Sequence, residues 1–482
     1  MSDAAPRGAA PPLSLRLGAF AAGLGREGIP PEIAERARYL MLDALGCALA
    51  ARSEPFAATY AAAIAELAGP VAPGAGRAVI GHASRLPMRD AAMLNGVLAH
   101  GLDFDDTHIA GIAHLSVAVL PAVLALAAER SLPGSRALTA YVAGLEAGSR
   151  LAGAAPGLFH AQGFHPTVAV GVFASTIACA HLAGLDPEGI ARAQGFALSM
   201  ASGTLQFVED GAWTKRLHPG WAASAGIAAA VMAQHPIPTP IDVYEGRFGL
   251  YRAFLGNDRM PGVDLDSVAV DLGRAWKLLG IAVKPFPVCH FNHACADAAI
   301  ALSARLAAEG VAAERIARIE ARVPEGVMPA VCVPVAAKRT PTTDYEAKFS
   351  LPYAIASGLL RGSLGLADLL PEAIADARVR SLMQRIDCVP DPGSTFPAHY
   401  TGEVVVTTDD GRRFAHREAI NRGHAERPLA PADIRAKFRA NAALRFSASD
   451  IQRLEDAILD LDRLSDLREL EPLLALTPIR SS

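Results

Sequence analysis

Residues 168–180 are apolar on nearly every face of a helix. A helix without a polar stripe has no side to give to water, so other helices must enclose it. The chain supplies them. An amphipathic segment runs from Leu13 to about residue 25. Pro31 opens a longer one, with proline in the first turn, where its missing N–H is of no consequence. Helices are then expected at about 90–107, 115–130, 135–153, 166–184, 187–202 and 218–234. Glycine, proline or aspartate turns separate most of them. Residues 77–81 read as a short extended piece. No fixed period links these segments, which argues against a solenoid.

The texture changes near Asp264. Residues 276–283 and 315–324 alternate apolar and polar positions, the pattern of strands. Residues 400–414 read as strand, Asp-Gly turn, strand. Helices are expected between them at about 292–308, 344–361 and 372–385. From Ala430 the pattern is helical again, at about 430–441, 447–459 and 463–475. The fold class expected is therefore mainly α. A large helical domain (1–270) is followed by a smaller α+β lid domain (271–425), and C-terminal helices (426–482) return to the first. A crevice between two such lobes is a natural place for a small-molecule site.

Composition removes several functions. The net charge is −4 with no basic block, so the chain has no electrostatic footprint for nucleic acid. No apolar run reaches about 18 residues uninterrupted, which argues against a membrane span. The six cysteines are scattered without a C-x-x-C pair, against a zinc ribbon or iron–sulfur cluster and in keeping with a reducing, cytoplasmic setting. The alanine- and proline-rich start, Met1 to Pro12, lacks the features of a secretion signal and is expected to be frayed.

Four polar clusters stand out from this background. The first, His100 to His108 (HGLDFDDTH), packs three carboxylates and two histidines into nine residues, with His114 close behind. If the preceding helix continues, His100, Asp103 and Thr107 share one face. The second places His165 just before the apolar helix at 166. The third puts Lys215, Arg216 and His218 at the entrance to another. The fourth carries Lys284, Cys289, His290 and His293. Acids on an apolar helix are costly to keep dry without cations. Cations at helix N-termini, where backbone N–H groups add to their field, suit a small di- or tricarboxylate. The same field would stabilise the aci-carboxylate formed when a proton leaves the adjacent carbon. A magnesium site at Asp103 to Asp106 is disfavoured, because its neighbours are His and Lys. No metal or other cofactor is expected.

At these clusters the sequence resembles the MmgE/PrpD family. The motifs are Ala99 to His108 (AHGLDFDDTH), Glu209 to Gly220 (EDGAWTKRLHPG), Lys284 to His293 (KPFPVCHFNH) and Leu454 to Asp466 (LEDAILDLDRLSD). Their order agrees as well. The family includes 2-methylcitrate dehydratase, cis-aconitate decarboxylase and iminodisuccinate epimerase. The resemblance implies a helical domain, an α+β lid, a homodimer and action on small polycarboxylates without an iron–sulfur cluster. It carries catalytic positions onto Asp103, Thr107, His114, His165 and Lys215. A further family histidine falls on Cys289 or His290. The lid tyrosine of the decarboxylase branch has no counterpart in residues 328–341, where Cys332 stands.

The expected function is that of a lyase acting alpha to a carboxylate. A histidine, His165 or His114, would move the proton, with Asp103 orienting it and Thr107 near the reacting group. Lys215, His218 and Lys284 would hold carboxylates, with Cys289, His290 and His293 also placed at the substrate. Dehydration of a methylcitrate-like acid ranks first, epimerisation second and decarboxylation third. A carboxylate-sensing protein without turnover is the alternative from another class.

Overall fold

A computed structural model describes residues 10–72, 74–444 and 446–475. The start expected to be frayed lies, up to Ala9, outside the described residues. The chain forms two compact units, Met1–Ala282 with Pro431–Ser482, and Val283–Ala430. The architecture is mainly helical, with an α+β region inserted before the C-terminal helices.

In the first unit, the helix Thr214–Met232 packs between Met88–His100 and Gly171–Leu182. Every residue of Gly171–Leu182 is buried, as its lack of a polar face requires. Glycine makes the closest crossing possible. A Cβ at Gly96 would lie 2.6 Å from Gly220 Cα, and one at Gly220 would lie 2.2 Å from Met93 O. The C-terminal end of one helix is thereby brought against the N-terminal turn of the other. The late helix Pro431–Ala442 returns to pack on Pro31–Ala51. Its Phe438 is fully buried there, over the gap left by Gly46. Burying a phenylalanine side chain of this kind is worth about 1.5–3 kcal/mol.

The second unit is built on a four-stranded sheet in the order Ile386–Pro390, Ile316–Val323, Gly402–Thr408, Arg413–Glu418. The first pair is parallel and the others antiparallel. A register shift between Ile316 and Arg318 turns Ile319, Ala321 and Val323 inward together. They join Val404, Val406, Leu302 and Tyr353 in this unit's core.

Several local expectations are corrected. The helix expected at 90–107 stops at His100, because Asp103 turns into the left-handed region (φ 55°). His100, Asp103 and Thr107 therefore do not share a helical face. The strand expected at 276–283 is a 3₁₀ turn, Lys277–Gly280, followed by only Ile281–Ala282. Buried Glu146 accepts from Lys277 N (3.1 Å) and Leu278 N (3.0 Å), which satisfies the turn and removes the need for a ladder. The helix expected at 166–184 breaks at Val170, and the one at 344–361 breaks before Ser350, whose side chain caps the next segment. The helix expected at 372–385 divides into Pro371–Ile374 and Ala377–Met383, the second capped by Asp376. The one at 463–475 is two 3₁₀ turns and a short helix, set by the Asp466 cap and by Pro472.

The crossing yields a stability test. Gly220→Ala should cost about 1–3 kcal/mol of stability from overpacking, read as a lower denaturant midpoint at unchanged slope. Gly23, a helical position where a Cβ would meet nothing within 4 Å, serves as control. Gly23→Ala should be neutral or stabilising by about 0.4–1 kcal/mol.

Candidate active site

Beyond His100 the chain makes a short loop. Asp103 N–H donates to His100 O at 2.9 Å as the backbone turns left-handed, a conformation that aspartate tolerates better than most residues. Thr107–His108 then pairs antiparallel with Ile281–Ala282, also in the first unit. A bridge from His108 to Ala113 brings His114 back over the loop.

Asp105 organises the side chains around this loop. It is fully buried, and its oxygens both lie 3.0 Å from His100 Nδ1. Its Oδ2 also lies 3.0 Å from His114 Nδ1. His114 Nδ1–H donates to Asp106 O at 2.7 Å as well, with Thr107 Oγ1 at 3.4 Å. A carboxylate and a carbonyl only accept, so both imidazoles carry their proton on Nδ1. In the uncharged His100 ring, Nε2 is left with its lone pair. His100 Nε2 is buried and has no hydrogen-bond partner among the described residues. His114 Nε2 lies 3.9 Å from Asp103 Oδ1.

The helix Thr214–Met232 brings the cation. Lys215, in its first turn, donates to Asp103 Oδ2 at 2.7 Å, and the pair is partly exposed. Lys215 and His218 stand at i and i+3, on one face. Arg216 Nε donates to Gly101 O at 2.9 Å and stacks on Phe56, tying this turn to the loop. His165 precedes Pro166 at the start of a short helix, and its N–H donates to Gly203 O at 3.0 Å. Its Nδ1 is 2.9 Å from His218 Nδ1, and its Nε2 is 3.0 Å from Thr167 Oγ1. Thr167 also accepts from His114 N at 3.1 Å. The rings of His100, His114 and His165 have centroids 4.6–6.1 Å apart.

Burial decides the charges. It lowers His100 and His218 to about 4 and His165 well below its ordinary value, with Lys215 adding to the effect in all three. His100, His165 and His218 are therefore uncharged at neutral pH and available as bases. Burial works against Asp105, but the His100 and His114 N–H groups reverse it and hold the carboxyl below the usual carboxylate range. Asp106 is raised to about 8 by burial, aided by repulsion from Asp43 and Asp105.

Of the positions singled out in the sequence, Asp103, Thr107, His114, His165, Lys215 and His218 come together in this cluster. Lys284, Cys289, His290 and His293 belong to the second unit. There Lys284 is buried, Cys289 N donates to Lys348 O at 2.8 Å, and Asn421 donates to His290 Nε2 at 2.8 Å. His293 Nε2–H donates to Val288 O at 3.1 Å. Sequence reasoning missed the roles of His100 and Asp105, although both lie in the marked stretch. Their one signal was two polar groups in an apolar setting. One ring nitrogen each from His100, His114 and His165 lie within 4.8 Å of one another, as do ligand atoms of His100, Asp103, Asp105 and His114. Such nitrogen-rich sets suit borderline transition ions rather than magnesium. No described helix is long and apolar enough to cross a membrane.

Two family models match the chain, the MmgE/PrpD N-terminal domain over residues 15–262 and the MmgE/PrpD C-terminal domain over residues 286–463. A Homo sapiens protein named cis-aconitate decarboxylase is 32% identical over 404 residues, covering 81% of this chain and 80% of that protein. The Mus musculus protein of that name is 31% identical over 413 residues, covering 81% and 79%. A 2-methylcitrate dehydratase of Salmonella typhimurium is 26% identical over 465 residues, covering 90% and 91%.

The buried carboxyl of Asp106 makes a pH prediction. In the fold it keeps its proton up to about 8, whereas an exposed aspartate loses it near 3.9. Its contribution to stability is full below about 3.9 and is lost as pH rises toward 8. His100 and His218, lowered to about 4, act in the opposite sense. Theirs is full above about 6.5 and is lost as pH falls toward 4. Asp106→Asn removes only the first effect. Its melting temperature relative to the parent should climb from about pH 5 to about pH 8. A difference that stays flat across that range would mean Asp106 is ionised in the fold.

Proposed function

The chain belongs to the MmgE/PrpD family, and from that premise we propose that it is a lyase acting alpha to a carboxylate of a small di- or tricarboxylic acid. Family membership supports an enzyme in the dehydratase and decarboxylase range that acts on polycarboxylates. The observation that carries the finer reading is the Lys215 ammonium, 2.7 Å from Asp103, set among imidazoles that burial keeps uncharged. A cation and neutral bases in one cluster are what proton abstraction next to a carboxylate needs.

Dehydration of a 3-hydroxy acid of the methylcitrate kind suits this arrangement best, because it uses both a base and an acid. A substrate carboxylate takes the place of Asp103 on Lys215, with His218 holding a second carboxylate. His165 or His114 removes the proton from the adjacent carbon. The electron pair passes into the aci-carboxylate, which Lys215 stabilises, and then forms the C=C bond. The hydroxyl leaves as water after taking that proton back from the conjugate acid of the histidine, directly or relayed through the Thr107 hydroxyl. Asp103, 3.9 Å from His114 Nε2, orients the histidine.

A second reading, decarboxylation, has its own support. The relatives named cis-aconitate decarboxylase are 31–32% identical to this chain, against 26% for a 2-methylcitrate dehydratase. A carbanion then arises by loss of CO2 rather than of a proton, and the acid protonates carbon instead of hydroxyl.

Incubation with methylcitrate, citrate, cis-aconitate and iminodisuccinate separates the readings. A rise in alkene absorbance from a hydroxy acid without gas indicates dehydration, CO2 release from cis-aconitate indicates decarboxylation, and loss of optical rotation at constant mass indicates epimerisation. Lys215→Ala and His165→Ala should each lower kcat/KM on the substrate by roughly 10²–10⁴-fold. Full turnover by both variants would overturn the mechanism.

A further inference from the structure

The loop that carries Asp103, Asp105 and Thr107 has a support from the far end of the chain. Lys437, on the helix Pro431–Ala442, is buried. Its ammonium donates to Phe104 O at 2.7 Å and sits 3.8 Å from the centre of the Phe104 ring. The same nitrogen lies 2.6 Å from Asp43 Oδ1, on the buried face of Pro31–Ala51. Phe104 itself is buried.

We propose that Lys437 is a positioning residue, which fixes the Phe104–Asp105 peptide and through it the Asp105 carboxylate that holds His100 and His114. The peptide unit is planar, so holding Phe104 O fixes the direction of Asp105 N–H on the other side of the bond. Asp103, immediately upstream, is in the left-handed region (φ 55°). That conformation persists only where surrounding contacts over-determine it. Asp105 must then meet two imidazoles at 3.0 Å each. A small rotation of this peptide would lose both.

The choice of residue supports a positioning role over a purely stabilising one. A buried ion pair is a poor source of stability, because desolvation consumes most of its attraction. Its geometry, however, is sharply defined. Lys437 reaches three features of the first unit at once: a carbonyl, an aromatic face and a carboxylate. Asp43 is raised by burial, and the Lys437 charge opposes that shift. The contact thus holds the Lys437 nitrogen in place beside a loop whose own charges must be arrayed correctly. Local motifs assign Lys437 no role, because its contact with Phe104 spans 333 positions.

The test uses the full chain. Lys437→Met should increase hydrogen exchange across residues 101–114 while exchange in Gly171–Leu182 stays slow. Turnover should fall by roughly 10²-fold, the scale expected when a reacting group is displaced by about 1 Å. KM should change little, and Lys437→Arg should restore part of kcat. A purely structural role predicts a lower melting temperature, no selective change in loop exchange and normal kcat per folded molecule, which would overturn the proposal. If Lys437→Met does not fold, Asp43→Leu/Lys437→Met replaces both partners by apolar groups, a change that is often nearly neutral for a buried pair. Loop exchange in that double variant then decides: faster exchange supports the proposal and unchanged exchange overturns it. The kcat arm rests on the lyase reading, and the exchange arm does not. Failure of Lys215→Ala to affect turnover would remove that reading and leave the loop measurement standing.

Discussion

A carboxylate sealed from water must find its solvation in the protein, and Asp105 finds it in two imidazole N–H groups. That single arrangement keeps the proton of His100 and His114 on Nδ1 and turns Nε2 of each ring away from the carboxylate. Without the carboxylate, both rings are free to turn or to move their protons. With it, His100 stays oriented and uncharged at neutral pH. The remaining features of the first unit serve to place this group: a helix that stops on time, a left-handed aspartate, and a helix crossing tight enough to bring Lys215 to Asp103.

The crossing and the loop make one device. Gly96 and Gly220 let two backbones approach more closely than any side chain permits. The last residue of one helix and the first turn of the other then share a small volume. Lys215 meets Asp103 there. Its charge lies near the positive end of its helix, which favours an anion as partner. A substrate carboxylate can replace Asp103 without losing the electrostatic match. The same ammonium adds to burial in keeping His165 and His218 uncharged. Anion binding and uncharged imidazoles at neutral pH therefore share a contributor.

The sequence carried the helical class clearly, because an all-round apolar segment such as 168–180 has no other stable outcome. The inserted mixed region was also visible, since alternation at 315–324 and the Asp-Gly turn are period-two signals. Boundaries were less legible where tertiary contacts decided them. Nothing local to residues 276–283 announces that Glu146 will satisfy their N–H groups. Nor does the stretch after His100 reveal that Asp103 will leave the helix, since its spacing alone suits a continued helical face. In the site, cations next to helix starts were readable as anion-binding groups. The Asp105 pairing was not, because it depends on a turn that sequence spacing does not encode. Lys437 lay still further out of reach, since its contact with Phe104 joins the two ends of the first unit.

The control of two imidazoles by Asp105 is tested most directly by the protonation state of their nitrogens. It can be read by 15N resonance on histidine-labelled protein, with His100→Gln and His114→Gln used for assignment. His100 and His114 should both carry hydrogen on Nδ1 at neutral pH, and His100 should remain uncharged until the pH nears about 4. Absence of hydrogen from Nδ1 of either ring at neutral pH, or an imidazolium at His100, would contradict that control.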